Sequence, residues 1–206
     1  FRAPNGACGV GFVFSIRSVT SSSRDRGFGM PINFPVYDRY PKELAMIGQM
    51  LTMYGDMETD LMNCVAIVHN QDMALKALFR PRGETNRVDI ADALAREAYK
   101  NHGLGDEFAE CIANFRFSLK IRNQYAHCNW WDTPAHGLGF IDMQQLAESQ
   151  KHLSQQSLTI HLVDLGLLNA QGEYFVYVQE FLRYLTNAYG KKNGAKLAFE
   201  LPRPKK

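Results

Sequence analysis

At 206 residues the chain is long enough for one domain of about 150 residues plus appendages. Its 46% hydrophobic, 12% aromatic and 21% charged residues suit a globular protein that buries a real core, and no stretch approaches the roughly 20 consecutive apolar residues of a membrane-spanning helix. The net charge of +2 is unevenly spread: residues 1–29 carry +3 and residues 191–206 carry +5, which leaves 30–190 at −6, so any contact with a polyanion must be local rather than a broad basic face.

The first segment, 1–29, shows no sustained helical or strand period. Its apolar run Ala7–Ile16 has the length of a signal-peptide core, but no clean small-x-small site follows. Gly6, Gly9 and Gly11 follow no predicted strand and open no helix, so they are not a phosphate loop. The segment is expected to be a disordered or appended extension to a domain spanning 30–190.

From Pro41 to His69 the spacing predicts one long helix. Pro41 suits its first turn, and Leu44, Ile47, Leu51, Tyr54, Leu61, Val65 and Val68 recur at three- and four-residue steps. Met46, Met50, Met53 and Met57 form a second stripe, expected to be adaptable core filling. A short segment, Asp72–Phe79, precedes the breaker Arg80-Pro81-Arg82-Gly83. Val88–Asn101 then reads as a second solid helix ending at Gly103. Asp106 can cap a third long helix running to about Ala126, with Phe108, Ile112, Phe115, Leu119 and Ala126 on one face.

After Trp130-Trp131-Asp132 and Pro134 the period changes. Leu138–Met143 and Leu158–Val163 read as two short strands around a Gln-rich connection. Gly172–Tyr189 is the last helix, with Phe175, Val178, Phe181, Leu182, Leu185 and Tyr189 inward, stopping at Gly190. The basic stretch 191–206 reads as a solvated tail. The expected fold is therefore mainly α, an antiparallel helical bundle with a small β-hairpin before its last helix.

Two charged residues fall where the pattern asks for apolar ones. Glu58 sits between Tyr54 and Leu61 on the first helix, and Arg122 between Leu119 and Ala126 on the third. Neither is cheap to bury alone, so each needs a partner. They either pair with each other to hold the bundle in register or line a polar cleft, and the two arrangements are compatible.

Asn123 and His127, four residues apart, lie one turn apart on the same helix flank. Arg122 and His127 would point about 140° apart on an ideal helix. They converge only if the helix end unwinds or a second subunit completes the site.

The string Arg122-Asn123-Gln124-Tyr125-Ala126-His127, followed by Cys128-Asn129-Trp130, resembles the R-x4-6-H signature of HEPN domains late in a long bundle helix. The resemblance covers roughly 40–190 as architecture, while its specific part is about ten residues. It implies a homodimer whose facing motif helices form a cleft, often acting as a metal-independent endoribonuclease. By that resemblance His127 is the proton-transfer residue, Arg122 the phosphate binder, Asn123 the residue orienting either, and Glu58 a positioner of Arg122. No metal or cofactor is implied.

The chemistry suits these residue types. Histidine as a class titrates near neutrality, and a guanidinium offers a permanent charged fork matching phosphate oxygens. Asn129 stands where some toxin members carry a modifiable Tyr, so that form of antitoxin control is not carried over. The family sets the wider expectations: RNA or a nucleotide as ligand, and a toxin or defence role with an antitoxin partner. The alternative reading is a non-catalytic HEPN-like module that binds a nucleotide or a protein.

Other groups carry weaker signals. Cys8, Cys64, Cys111 and Cys128 form no CxxC pair and are too few for a disulfide scaffold, so a reduced, cytoplasmic setting is expected. His127, Cys128 and His102 lack zinc-ligand spacing. Cys128 diverges from His127 in a helical turn and so makes a poor nucleophile pair. Trp130 and Trp131 are read as packing residues. Lys76, Arg80, Arg82 and Arg87 form either a basic rim or, as the favoured reading, a solvated loop. His136 and His161 receive no role.

Overall fold

The computed structural model describes residues 18–20, 35–133, 137–143, 147–148, 159–196 and 198–205. Strand β1 (Ser18–Thr20) is followed by helices α1 (Pro35–Arg39), α2 (Pro41–Ala66), α3 (Gln71–Phe79), α4 (Glu84–Asn101) and α5 (Gly105–His127). Strands β2 (Asn129–Thr133), β3 (Gly137–Ile141) and β4 (Thr159–Leu162) come next, and α6 (Leu165–Lys192) closes the fold. Among the described residues no helix is long and apolar enough to cross a membrane.

The mainly helical expectation holds, and the apolar spacing placed the helices well. Helix α2 opens with Pro41, which needs no N–H partner in the first turn. It buries Ile47, Met50, Tyr54, Met57, Leu61 and Val65. Met57 has no exposed surface, so the methionine stripe is indeed core filling.

Helix α4 starts at Glu84, four residues earlier than the spacing suggested, because Gly83 takes a left-handed φ of 95° and turns the chain straight into the helix. Helix α5 is not capped by Asp106. Leu104 occupies the cap position without a side-chain bond, and Asp106 lies in the first turn, where its charge complements the helix dipole. Helix α6 begins at Leu165 rather than Gly172, since Asp164 caps it by accepting from the Leu167 N–H at 2.7 Å.

The core is aromatic where these helices meet. Tyr99 of α4 stacks on Phe108 of α5 with ring centroids 4.4 Å apart, and Tyr54 of α2 meets Phe115 of α5 at 5.5 Å. Phe175, Phe181, Leu182 and Leu185 bring in α6. Two tyrosine hydroxyls buried between α5 and α6 are satisfied by amides: Tyr174 donates to Asn114 Oδ1 at 2.7 Å and Tyr125 to Gln171 Oε1 at 2.5 Å.

The sheet is larger than the expected hairpin. Strands β3 and β4 pair antiparallel, with Gly139 opposite Leu162 and Phe140 opposite His161. Strand β2, however, pairs along the other edge of β3, and β1 along the far edge of β4, giving the order β1-β4-β3-β2. The tryptophan pair therefore lies in a strand, and Trp130 packs on Tyr125 and Phe140 at 5.6 and 5.5 Å. Residues Ser18–Thr20 of the 1–29 segment join this sheet, while the Gln-rich connection lies largely outside the described residues.

The basic tail is not simply solvated. Arg203 reaches Glu107 and Glu110 of α5 at 3.1 and 2.7 Å and lies over the Phe181 ring. Asn187 of α6 donates to the Phe199 carbonyl and accepts from the Leu201 N–H. Local acid on α5 thus binds a segment whose composition alone suggested solvent.

Strand β3 leaves no room for a side chain at Gly139, where a Cβ would fall 2.7 Å from Ile160 Cγ2 and 3.3 Å from the His161 carbonyl. Replacing Gly139 with Val is expected to cost about 1–3 kcal/mol by overpacking, read as a lower urea midpoint with an unchanged slope.

Candidate functional site

The last turns of α5 carry the motif, and packing sets their rotation. Ile121 and Tyr125 are buried, and the Tyr125 hydroxyl is bound to Gln171 of α6. Arg122 and Asn123 are then left on the flank as half-buried groups, and His127 is exposed as the last helical residue. Cys128 is the first residue in extended conformation, so the helix does not unwind between Arg122 and His127. Within one copy the two side chains therefore diverge, as 3.6-residue geometry requires.

Arg122 does not pair with Glu58. Its Nη1 donates to Asn123 Oδ1 at 2.9 Å and lies 3.3 Å from Glu84 Oε1, while the guanidinium stands over the Tyr54 ring, 5.7 Å from its centroid. Glu58 is taken by Arg87, whose Nη1 reaches both carboxylate oxygens at 2.8 and 3.0 Å. Arg87 was expected in a solvated loop. The early start of α4 instead puts it within that helix, facing α2, and its guanidinium also caps the Phe79 ring.

Two ion pairs thus flank Tyr54: Glu58–Arg87 and Glu84–Arg122. Tyr54 is only 2% exposed, and its hydroxyl is buried without a hydrogen-bond partner, as are Arg87 Nε and Arg122 Nε. Burial is the main cause raising the Tyr54 phenol above its ordinary range. The Glu58 and Glu84 charges push the same way, against Arg122 and Arg87. Two cations and two carboxylates balance, which is what allows four charges this close to a core.

Asn123 and His127 face elsewhere. They line an open pocket of about 430 Å³ together with Arg116, Leu119, Lys120 and Gln124 of α5, Thr85 of α4 and Asp142 beyond β3. Arg116 is held by Asp89 and Asp92 of α4 at 2.9 and 3.2 Å. Asn123 belongs to both places: it holds Arg122 on one side and borders the His127 pocket on the other. The motif residues are therefore joined in sequence order through Asn123, while Glu58 stands apart, one ion pair removed.

Glu84 has no place in the sequence reading, which gives Tyr54 only as a core residue and Arg87 only as part of a basic rim or solvated loop. Tyr54 and Glu58 lie four apart on α2, and Glu84 and Arg87 three apart on α4, spacings that share a helix face. Beginning α4 at Val88 hid the second pair. The remaining candidates gain nothing. Burial pushes the Cys128 thiol up to about 12, the opposite of an activated nucleophile, and Cys64 and Cys111 are fully buried. Among the described residues no group of three His, Cys, Asp or Glu side chains gathers to hold a metal ion.

No protein-family model matches the chain, and neither curated proteins nor solved structures provide a match.

The two halves of the cluster are expected to respond differently to substitution. Arg87→Ala strands the Glu58 carboxylate at 12% exposure and is expected to cost about 1–3 kcal/mol in urea denaturation. Tyr54→Phe removes a hydroxyl that has no partner, so stability is expected to stay within about 0.5 kcal/mol or rise.

Proposed function

We propose that the chain is a HEPN-like, metal-independent endoribonuclease that works as a homodimer, with a toxin or defence setting suggested by the same resemblance. The observation that carries the reading is the bond from Arg122 to Asn123, because Asn123 is also a wall of the pocket that holds His127. The imidazole lines an open, solvent-facing cavity whose rim also carries Lys120 and Arg116, and the guanidinium lies behind that wall, one hydrogen bond away through Asn123.

In this reading the imidazole of His127 takes the proton from the ribose 2′-OH. The freed oxygen attacks the adjacent phosphorus, and the bond to the 5′-oxygen breaks as that oxygen takes a proton from water, leaving a 2′,3′-cyclic phosphate and a 5′-hydroxyl. Negative charge grows on the phosphoryl oxygens as this proceeds, and a fixed guanidinium such as Arg122 stabilises it better than water does. Asn123 positions Arg122. Glu58 acts only at a distance, by holding Arg87 beside the same tyrosine. Because Arg122 and His127 diverge on an intact helix, a second copy presenting its own α5 is part of the proposal.

The second reading, a non-catalytic nucleotide- or partner-binding dimerisation module, is favoured by one feature. Arg122 is already engaged by Glu84 and the Tyr54 ring, as a purely structural arginine would be.

The full chain incubated with mixed RNA in EDTA separates the two. The nuclease reading expects cleavage leaving 2′,3′-cyclic phosphate ends, a loss of about 100-fold or more in Arg122→Ala and in His127→Ala at matched circular dichroism, and sedimentation at twice the chain mass. RNA left intact by a well-folded protein moves the conclusion to the module. Equal cleavage by all three proteins overturns the site.

A further inference from the structure

The two ion pairs beside Tyr54 are chemically alike, yet they are built differently. Arg87 and Glu58 are joined at 2.8 and 3.0 Å, within the range of charge-assisted bonds, with the carboxylate side chain 12% exposed. Arg122 and Glu84 stand at 3.3 Å, with side chains 23% and 34% exposed, and this contact falls short of a well-formed hydrogen bond. The first pair is a lock. The second is longer and its carboxylate is the more exposed of the two, so it balances the charge while holding its arginine less tightly than the first pair does.

Glu84 also has a second source of positive potential. It is the first residue of α4, an 18-residue helix whose cap, Gly83, supplies no side-chain acceptor. A carboxylate in that first turn is favoured by the helix dipole whether or not Arg122 touches it. Arg122 in turn keeps two supports if Glu84 lets go: the Asn123 oxygen at 2.9 Å and the face of the Tyr54 ring. Both partners can therefore separate at small cost, and Thr85, next to Glu84, already borders the His127 pocket.

We propose that Glu84 is a carboxylate latch on Arg122: it holds the guanidinium in a ready position and competes with an incoming phosphodiester for it. The proposal rests on the reading of Arg122 as a phosphate binder. Glu84 is a positioning residue that tunes affinity and never touches the reacting atoms. Glu58, the acid that the sequence pointed to, has no such role because Arg87 already holds it.

Binding rather than cleavage tests this, so that the latch and the nuclease reading can fail separately. The probe is a short fluorescein-labelled 2′-O-methyl oligoribonucleotide, which keeps the phosphates but lacks the free 2′-OH. Its dissociation constant is measured by anisotropy at low salt for the full chain, Glu84→Gln, Glu97→Gln, Arg122→Ala and Glu84→Gln/Arg122→Ala. Glu97 lies on the same helix and is exposed, so Glu97→Gln makes the same charge change away from the pocket.

The expected result is a two- to fivefold gain, equivalent to about 0.4–1 kcal/mol and within the range of a partly exposed ion pair, in Glu84→Gln alone. Glu97→Gln should stay within about 1.5-fold of the parent, and the gain should vanish when Arg122 is absent. Unchanged or weaker binding by Glu84→Gln, an equal gain in Glu97→Gln, or a gain that survives Arg122→Ala each overturns the latch. If Arg122→Ala still weakens binding in those cases, the phosphate-binding role stands without the latch. An Arg122→Ala protein that binds as the parent does, or a parent and Glu84→Gln that both fail to bind, overturns latch and phosphate role together. Glu84→Ser, a small uncharged polar residue in the first turn of α4, is the second variant should Glu84→Gln unfold early, and the same gain is required of it.

Discussion

The placement of the motif follows from the rotation of α5 about its own axis, which its buried residues set and which Ile121 and Tyr125 fix in the last turns. Both side chains are buried, and the Tyr125 hydroxyl donates to Gln171 of α6. A buried hydroxyl that loses its acceptor costs on the order of 1–3 kcal/mol, so the helix is not free to turn. With those two residues inward, Arg122 points toward α2 and α4, and Asn123 and His127 border the open pocket. The middle of the RNQYAH string thus contains its own anchor.

The second constraint is electrostatic. Four charges crowd around a tyrosine with almost no exposed surface, and the arrangement stands because each cation has its own carboxylate. The pairing crosses the expected one. Glu58 and Arg122 do not meet, because α4 inserts Arg87 and Glu84 between them. A helix that begins four residues earlier than its apolar period suggests therefore changes the ionic wiring of the whole region. The chain enters that helix through Gly83, which takes a left-handed φ at the cap position.

Helix positions were legible in the sequence because burial imposes a period that residues display openly: six apolar positions expected to face inward on the last helix, from Phe175 to Tyr189, are all buried. The bond from Arg122 to Asn123 and the place of Asn123 in the His127 pocket were not readable as such, although the helical flank shared by Asn123 and His127 was. Strand β2 was missed because a two-residue tryptophan run shows no alternation on its own. Only its ladder to β3 makes it a strand. The tail was misread because composition reports average polarity, whereas Arg203 binds two particular carboxylates on α5.

The sequence by itself determined the helical class, most helix cores, the polar flank of α5 and the fact that Glu58 and Arg122 each require a partner, since these depend on local period and on the cost of burying a lone charge. Which partner each would find, and that Tyr54 would lie between the two pairs, were decided by the tertiary structure. Those outcomes depend on how α2, α4 and α5 pack, and distances between residues tens of positions apart are written in no single stretch of chain.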